Sequence, residues 1–203
     1  MKKTLFSSSL IVLACLLGAC TLKLTPMPDA PVPSQEVSQT PLLGKAQISC
    51  QSAERWAAAH NAPQLFIDLA PYYWDYGDQT GIRPEVMYAQ AALETAYGNF
   101  GGRVTPDMNN FAGIKKADAI SDATEDHESF PTAEDGVRAH YNHMCAYTGL
   151  DPVGDPHSRY YLVLSSDRAG TVKYAEELGG LWCPAADYGE KIVNIFLSDM
   201  YNY

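Results

Sequence analysis

The chain has 203 residues, 46% of them hydrophobic, and a formal charge of −10, with 14 Lys plus Arg against 24 Asp plus Glu. That balance argues against an electrostatic grip on nucleic acid or on an anionic membrane surface, and against a polyanionic substrate. No internal repeat is visible, and the length beyond the N-terminal segments suits one domain with a real core.

Met1-Lys2-Lys3, an apolar run from Leu10 to Gly18, and Leu17-Gly18-Ala19-Cys20 read as a secretion signal over 1–19, since the run is too short to span a bilayer and stay there. A small-residue site ending in Cys resembles a bacterial lipobox, with Cys20 as the lipidated first residue of the mature protein. The alternative is an ordinary signal peptide with a chance Cys. Residues 20–44 hold Pro26, Pro28, Pro31, Pro33 and Pro41 among Ser, Thr and Gln and read as a tether. At roughly 3.1 Å per residue, about 25 such residues reach on the order of 70 to 80 Å. Residues 45–203 are expected to form the folded domain. In an oxidising compartment Cys50, Cys145 and Cys183 predict one disulfide and one free thiol, with the pair left open.

Within the domain, Ser49 to His60 has a short helical pattern stopped by Asn61-Ala-Pro63, and Leu65 to Tyr76 a second one with a break at Pro71. Pro84 to Gly98 is the most informative stretch. Pro84 suits a first helical turn, Gly98 a C-terminal cap, and Ala89, Ala91, Ala92, Leu93 and Ala96 favour helix between them. This helix is apolar on nearly every side, yet Gln90 and Glu94 are four apart and share a face. Burial and the helix dipole together raise the pKa of an acid in the last turn, as a general acid requires. The competing reading pairs Glu94 with Arg83 or Arg103, or leaves it exposed.

Lys115 to Phe130 lacks helical period and predicts a small hairpin or irregular lobe. Thr132-Ala-Glu-Asp135 is a capping box leading a helix to Gly149. Tyr160 to Leu164 has ambiguous period, and Val172 to Leu178 is helical up to Gly179-Gly180. Asp187-Tyr-Gly-Glu190 is a second capping box, heading a last helix through Ile192, Phe196 and Met200.

Taken in order, Ala89-Gln-Ala-Ala-Leu-Glu94-Thr, Asn109-Asn-Phe-Ala-Gly-Ile-Lys115, Phe130 before a capped helix, and Trp182 to Tyr188 resemble the bacterial endo-β-N-acetylglucosaminidases of the glycoside hydrolase family 73 type. The resemblance spans about 63–201 and implies an α+β, mainly α fold, a lysozyme-like helical lobe with a small β lobe across a glycan cleft. It makes Glu94 the catalytic acid and places Asn109, Asn110, Phe111 and Tyr188 at the cleft; Gln90 and Tyr97 join them as substrate-binding candidates. Amides can bond N-acetyl groups and hydroxyls, and aromatic faces can lie on sugar rings. Read without the resemblance, Asn109-Asn110 is a turn or cap and Phe111 a core residue. Glycosidases commonly use a second carboxylate. Asp118, Asp122, Glu125, Asp126 and Glu128 are candidates, and Thr124-Glu125 resembles a Thr-Glu of a flagellar branch, which selects Glu125. The Ser-Gly-Trp often found after the family's catalytic Glu is Thr95-Ala96-Tyr97 here.

The expected protein is a lipid-anchored peptidoglycan hydrolase of the cell envelope. It sits on the outer face of a bacterial membrane through its N-terminal lipid and acts on glycan strands beside a cell-wall protein partner. It uses no metal or cofactor and binds no nucleic acid. Two other readings compete: a non-catalytic glycan-binding or scaffold lipoprotein, and a metallopeptidase using His140, His143 and His157, although H-E-x-x-H is absent.

Overall fold

The computed structural model describes residues 39–203, so the signal segment, Cys20 and most of the tether lie outside the described residues. The domain starts earlier than position 45. Leu42 is fully buried, its amide donates to the Lys173 carbonyl, and its own carbonyl accepts from the Arg83 amide. Residues 39–44 therefore belong to the fold, joined by isolated bridges Pro41–Tyr174 and Leu43–Ile82.

Eight helices follow among the described residues. Helix α1 (Cys50–Ala59) is capped by Ser49, whose hydroxyl accepts from the Ser52 amide, and it stops at Asn61, at φ 56°. The next pattern breaks two residues before Pro71, into α2 (Gln64–Ile67) and α3 (Ala70–Thr80), with the proline in the first turn of α3. Helix α4 (Pro84–Thr95) ends one turn sooner than Gly98. Ala96, Tyr97 and Gly98 are all left-handed, so the chain leaves the helix directly after Glu94 and Thr95. Gly98 is required there twice over: φ is +78°, and a Cβ would meet Phe66 Cβ at 2.5 Å.

Helix α5 (Ala133–Thr148) begins on the Thr132 cap, whose hydroxyl accepts from the Asp135 amide, and ends at left-handed Gly149. The ambiguous run is helical, α6 (Ser158–Leu164), whereas 172–178 contributes only a 3-10 turn at Ala175–Leu178. Asp187 makes no side-chain cap; it pairs instead with Lys191 at 3.0 Å across one turn. Helix α7 (Tyr188–Lys191) continues into a π-helical stretch (Ile192–Leu197) and α8 (Ser198–Met200).

Helix α4 is the central element, packed between α3 and the π-helical stretch, with α5 across α3. Its surroundings are aromatic: Trp56, Phe66, Tyr73, Tyr88 and Tyr141 are essentially without exposure. Burying each contributes on the order of 1.5–3 kcal/mol in transfer terms. The expected β lobe reduces to an irregular loop. Within 115–130 the described backbone pairs only through a single antiparallel bridge, Lys115–His127, plus a 3-10 turn at Thr124–Asp126. Too few residues there alternate apolar and polar to build a ladder. The disulfide expectation is also corrected, because Cys50, Cys145 and Cys183 are all free thiols. Burial pushes Cys50 and Cys145 up to about 12, which leaves them inert.

Gly136 joins α5 to the loop before it. A Cβ there would lie 1.8 Å from the Asn109 carbonyl oxygen, which is backbone and cannot step aside cheaply. Gly136→Ala is expected to cost about 2 kcal/mol or more by overpacking, read as a lower denaturation midpoint in urea. An unchanged midpoint would mean that the Asn109 loop yields freely.

Candidate active site

Glu94 stands in the last turn of α4 and opens onto a cavity of about 310 Å³. The cavity is lined by Glu94, Phe100, Arg103, Gly113, Lys115 and Asp122, among others. Neither arginine proposed as a structural partner takes Glu94. Arg83 is paired with Glu85 at 2.8 Å, and Arg103 forms no ion pair among the described residues. The Glu94 carboxyl is instead bonded by the Tyr188 hydroxyl, which donates to Oε1.

That contact ends a buried chain of hydrogen bonds. The Tyr73 hydroxyl lies 3.0 Å from His140 Nδ1, His140 Nε2 lies 3.1 Å from Gln90 Oε1, and Gln90 Nε2 donates to the Tyr188 hydroxyl at 3.0 Å. The direction follows from one end. Tyr73 is fully buried and its hydroxyl has His140 as its hydrogen-bond partner, so it donates to Nδ1. His140 must then carry its proton on Nε2 and give it to Gln90 Oε1. The amide turns its NH2 to Tyr188, and Tyr188 donates to Glu94. Burial holds His140 neutral, down to about 3, so this single tautomer persists across the useful pH range.

The consequence for Glu94 is geometric. Oε1 is occupied by a donor, so a protonated Glu94 carries its proton on Oε2. That oxygen faces Gly113, where a Cβ would come within 3.3 Å of it and where φ is +59°. Burial raises the Glu94 pKa, and the Tyr188 hydroxyl and Trp182 indole act against that rise without cancelling it. Asp122 moves the other way: its bond to Lys115, at 2.9 Å, holds it below the usual carboxylate range. Two carboxyl groups on one cavity are thus tuned apart, one toward acid and one toward anion.

Other sequence-predicted residues have different uses. Gln90 is fully buried and belongs to the relay, and Tyr188 spends its hydroxyl proton on the Glu94 carboxyl, so neither is a free sugar contact. Asn110 is fully buried, with its amide donating to the Ile114 and Glu128 carbonyls and accepting from the Ile114 amide. Asn109, left-handed at φ 51°, donates to the Phe130 carbonyl. The two asparagines latch the loop that carries Gly113 rather than offering their amides to a ligand. Phe111 is core, 1% exposed. Tyr97 stacks on His60 at 4.6 Å and packs on Trp56 and Phe196, outside the cavity lining. Glu125 is exposed on its 3-10 turn and does not line the cavity; Asp122, three residues earlier on that loop, does. Both ring nitrogens of His140 are engaged, which removes it from the metallopeptidase triad.

Neither Tyr73 nor the relay role of His140 is reached by the sequence reading. The available signal was His140 on the buried face of a capped helix, where a neutral histidine needs two partners.

A protonatable carboxyl at the end of a directional relay, opening on a cavity with an ionised carboxylate, on a mainly helical scaffold, is the equipment of an acid-catalysed glycoside hydrolase. Residues 70–199 match the glucosaminidase family model, described as mannosyl-glycoprotein endo-β-N-acetylglucosaminidase, and the chain belongs to this family. An uncharacterized protein of Borreliella burgdorferi is 30% identical over 133 residues, covering 64% of this chain and 60% of that relative. No solved structure matches the chain.

Proposed function

We propose that the protein is a lipid-anchored peptidoglycan hydrolase that cleaves the β-1,4 bond after N-acetylglucosamine, with Glu94 as general acid. The observation that supports this is the relay ending in the Tyr188 hydroxyl bonded to Glu94 Oε1, with Oε2 beside Gly113 in the cavity wall. In the reaction Glu94 Oε2 gives its proton to the glycosidic oxygen as the C–O bond breaks and positive charge grows at the anomeric carbon. Asp122, kept ionised by Lys115, is the group in the cavity suited to stabilise that charge or to activate the water that completes hydrolysis. The lipid anchor rests on the Leu17 to Cys20 pattern, and with the tether it would hold the domain within reach of a wall fixed beyond the membrane.

The test is mass spectrometry of fragments released from purified peptidoglycan after borohydride reduction. New reduced N-acetylglucosamine ends support the proposal. Reduced N-acetylmuramic ends, anhydro ends, or no new ends overturn the bond assignment.

Tyr188→Phe removes the donor at Oε1 without emptying its place. The ionised form of Glu94 loses its main stabilising contact, so the pKa rises further. Activity that needs protonated Glu94 is present below that pKa and disappears above it, so the basic limb of the kcat profile is expected to move to higher pH. The maximum is expected to fall about tenfold or more as the carboxyl loses its fixed orientation. A basic limb left in place would show that Tyr188 does not tune the acid.

A further inference from the structure

A second cavity, of about 410 Å³, adjoins the Glu94 cavity, with Gly113 and Lys115 in the wall of both. Lys115, Arg159 and Arg168 line it together with His143, Tyr147 and Trp182, and no Asp or Glu does. In a chain of net charge −10 this is a local reversal of sign. Lys115 is paired with Asp122, but Arg159 and Arg168 form no ion pair among the described residues; their hydrogen bonds go to the Lys116 and Leu181 carbonyls. Each guanidinium has five N–H groups in a fork that fits a carboxylate, and most of these are unassigned. His143 is 6% exposed, and its Nδ1 is buried without a hydrogen-bond partner. Trp182 packs against His143 at 4.7 Å and gives the cavity an apolar wall.

We propose that this cavity binds a carboxylate of the peptide stem attached to the glycan being cut, with Arg159 and Arg168 as its ligands. The assignment rests on the hydrolase reading of the adjoining site. A neutral glycan gives the guanidinium groups of Arg159 and Arg168 nothing to pair with, whereas a strand bearing acidic peptides carries carboxylates a short reach from the scissile bond. The overall negative charge repels such a substrate, and the cavity supplies the local attraction that makes binding selective for this position. It acts as a specificity site, favouring strands that still carry stems over strands that have lost them.

Two measurements on the full chain test this. In the first, an acidic stem tripeptide and its fully amidated form are titrated against Trp fluorescence. The acidic form is expected to bind at least about tenfold more tightly, the preference falling with salt, and Arg159→Gln/Arg168→Gln is expected to abolish it while Arg159→Lys/Arg168→Lys retains part. Equal binding of the two peptides by the unaltered chain overturns the proposal, as does a preference that survives in the Gln variant. Equal competition by inorganic phosphate overturns it too, by making the cavity a general anion site. In the second, kcat/KM is compared on stem-bearing glycan and on glycan stripped of its peptides. The stem-bearing substrate is expected to be preferred about tenfold through KM, and the Gln variant to treat both as stripped glycan. Cleavage of neither substrate would remove the hydrolase reading, while the peptide titration would still decide whether the cavity takes carboxylates.

Discussion

Glu94→Gln is expected to fold normally and to lose at least about a thousandfold in glycan-cleaving rate, because the amide keeps the shape of the side chain but has no proton to give. The relay makes this a clean substitution. The oxygen of the new amide can still accept from Tyr188, and its NH2 can occupy the position of Oε2 beside Gly113. Stability should change in the opposite sense. The pKa of Glu94 is raised in the fold, so its contribution to stability is complete at low pH and is lost as pH rises through the folded pKa. The amide has no charge to bury, so the variant should gain in melting temperature relative to the native chain as pH increases, and gain little at acidic pH. A variant inactive at every pH yet more stable at alkaline pH would show a carboxyl kept under strain for its chemistry. Retained lytic activity would remove Glu94 from the mechanism.

The second large effect concerns the other end of α4. Arg83 and Glu85 form an ion pair at 2.8 Å with 4% and 0% side-chain exposure, and Arg83 also reaches the Pro41 carbonyl and the Tyr201 hydroxyl. Glu85 keeps only the Gln47 amide, at 3.1 Å, when Arg83 is removed, and its Oε2 has no partner even in the intact fold. Arg83→Met therefore leaves a buried carboxylate almost alone and is expected to cost about 3–5 kcal/mol, a fall of roughly 10 °C in Tm for a domain of this size. Arg83→Met/Glu85→Leu should recover most of that loss, because the charge that made the single substitution costly is gone. Thermal denaturation of the two variants decides it. A double variant as unstable as the single one would assign the loss to the Pro41 and Tyr201 contacts instead.

Much of the scaffold could be read from local chemistry. Ser49, Thr132 and Gly149 bound their helices as side-chain caps and left-handed glycines do anywhere, and Glu94 stood out because an acid on an all-apolar helix has few neutral explanations. The candidates that the fold gives other partners share a cause. Asn109, Asn110 and Tyr97 carry groups that can serve a sugar or the chain itself, and the choice depends on which backbone carbonyls and rings come within reach. Asn110 finds Glu128 eighteen residues away, and Tyr97 finds His60 and Phe196 from either side. Glu125 and Asp122 sit on one irregular loop with no period to say which side chain turns inward. The relay was hidden for the same reason: Tyr73, Gln90, His140 and Tyr188 come from four separate elements, and only packing aligns their polar ends.

The contact between Glu94 and Tyr188 joins positions 94 residues apart, across the whole of the loop region, α5 and α6. Closing a span of that length carries a large entropic cost and is repaid only once α7 and the π-helical stretch have settled against α4. Without α7 docked, the Glu94 carboxyl on α4 would have Oε1 free and would lack the donor that orients it. On the proposed role of Glu94, the orientation of the acid is therefore set by a segment that closes over it from the far end of the chain.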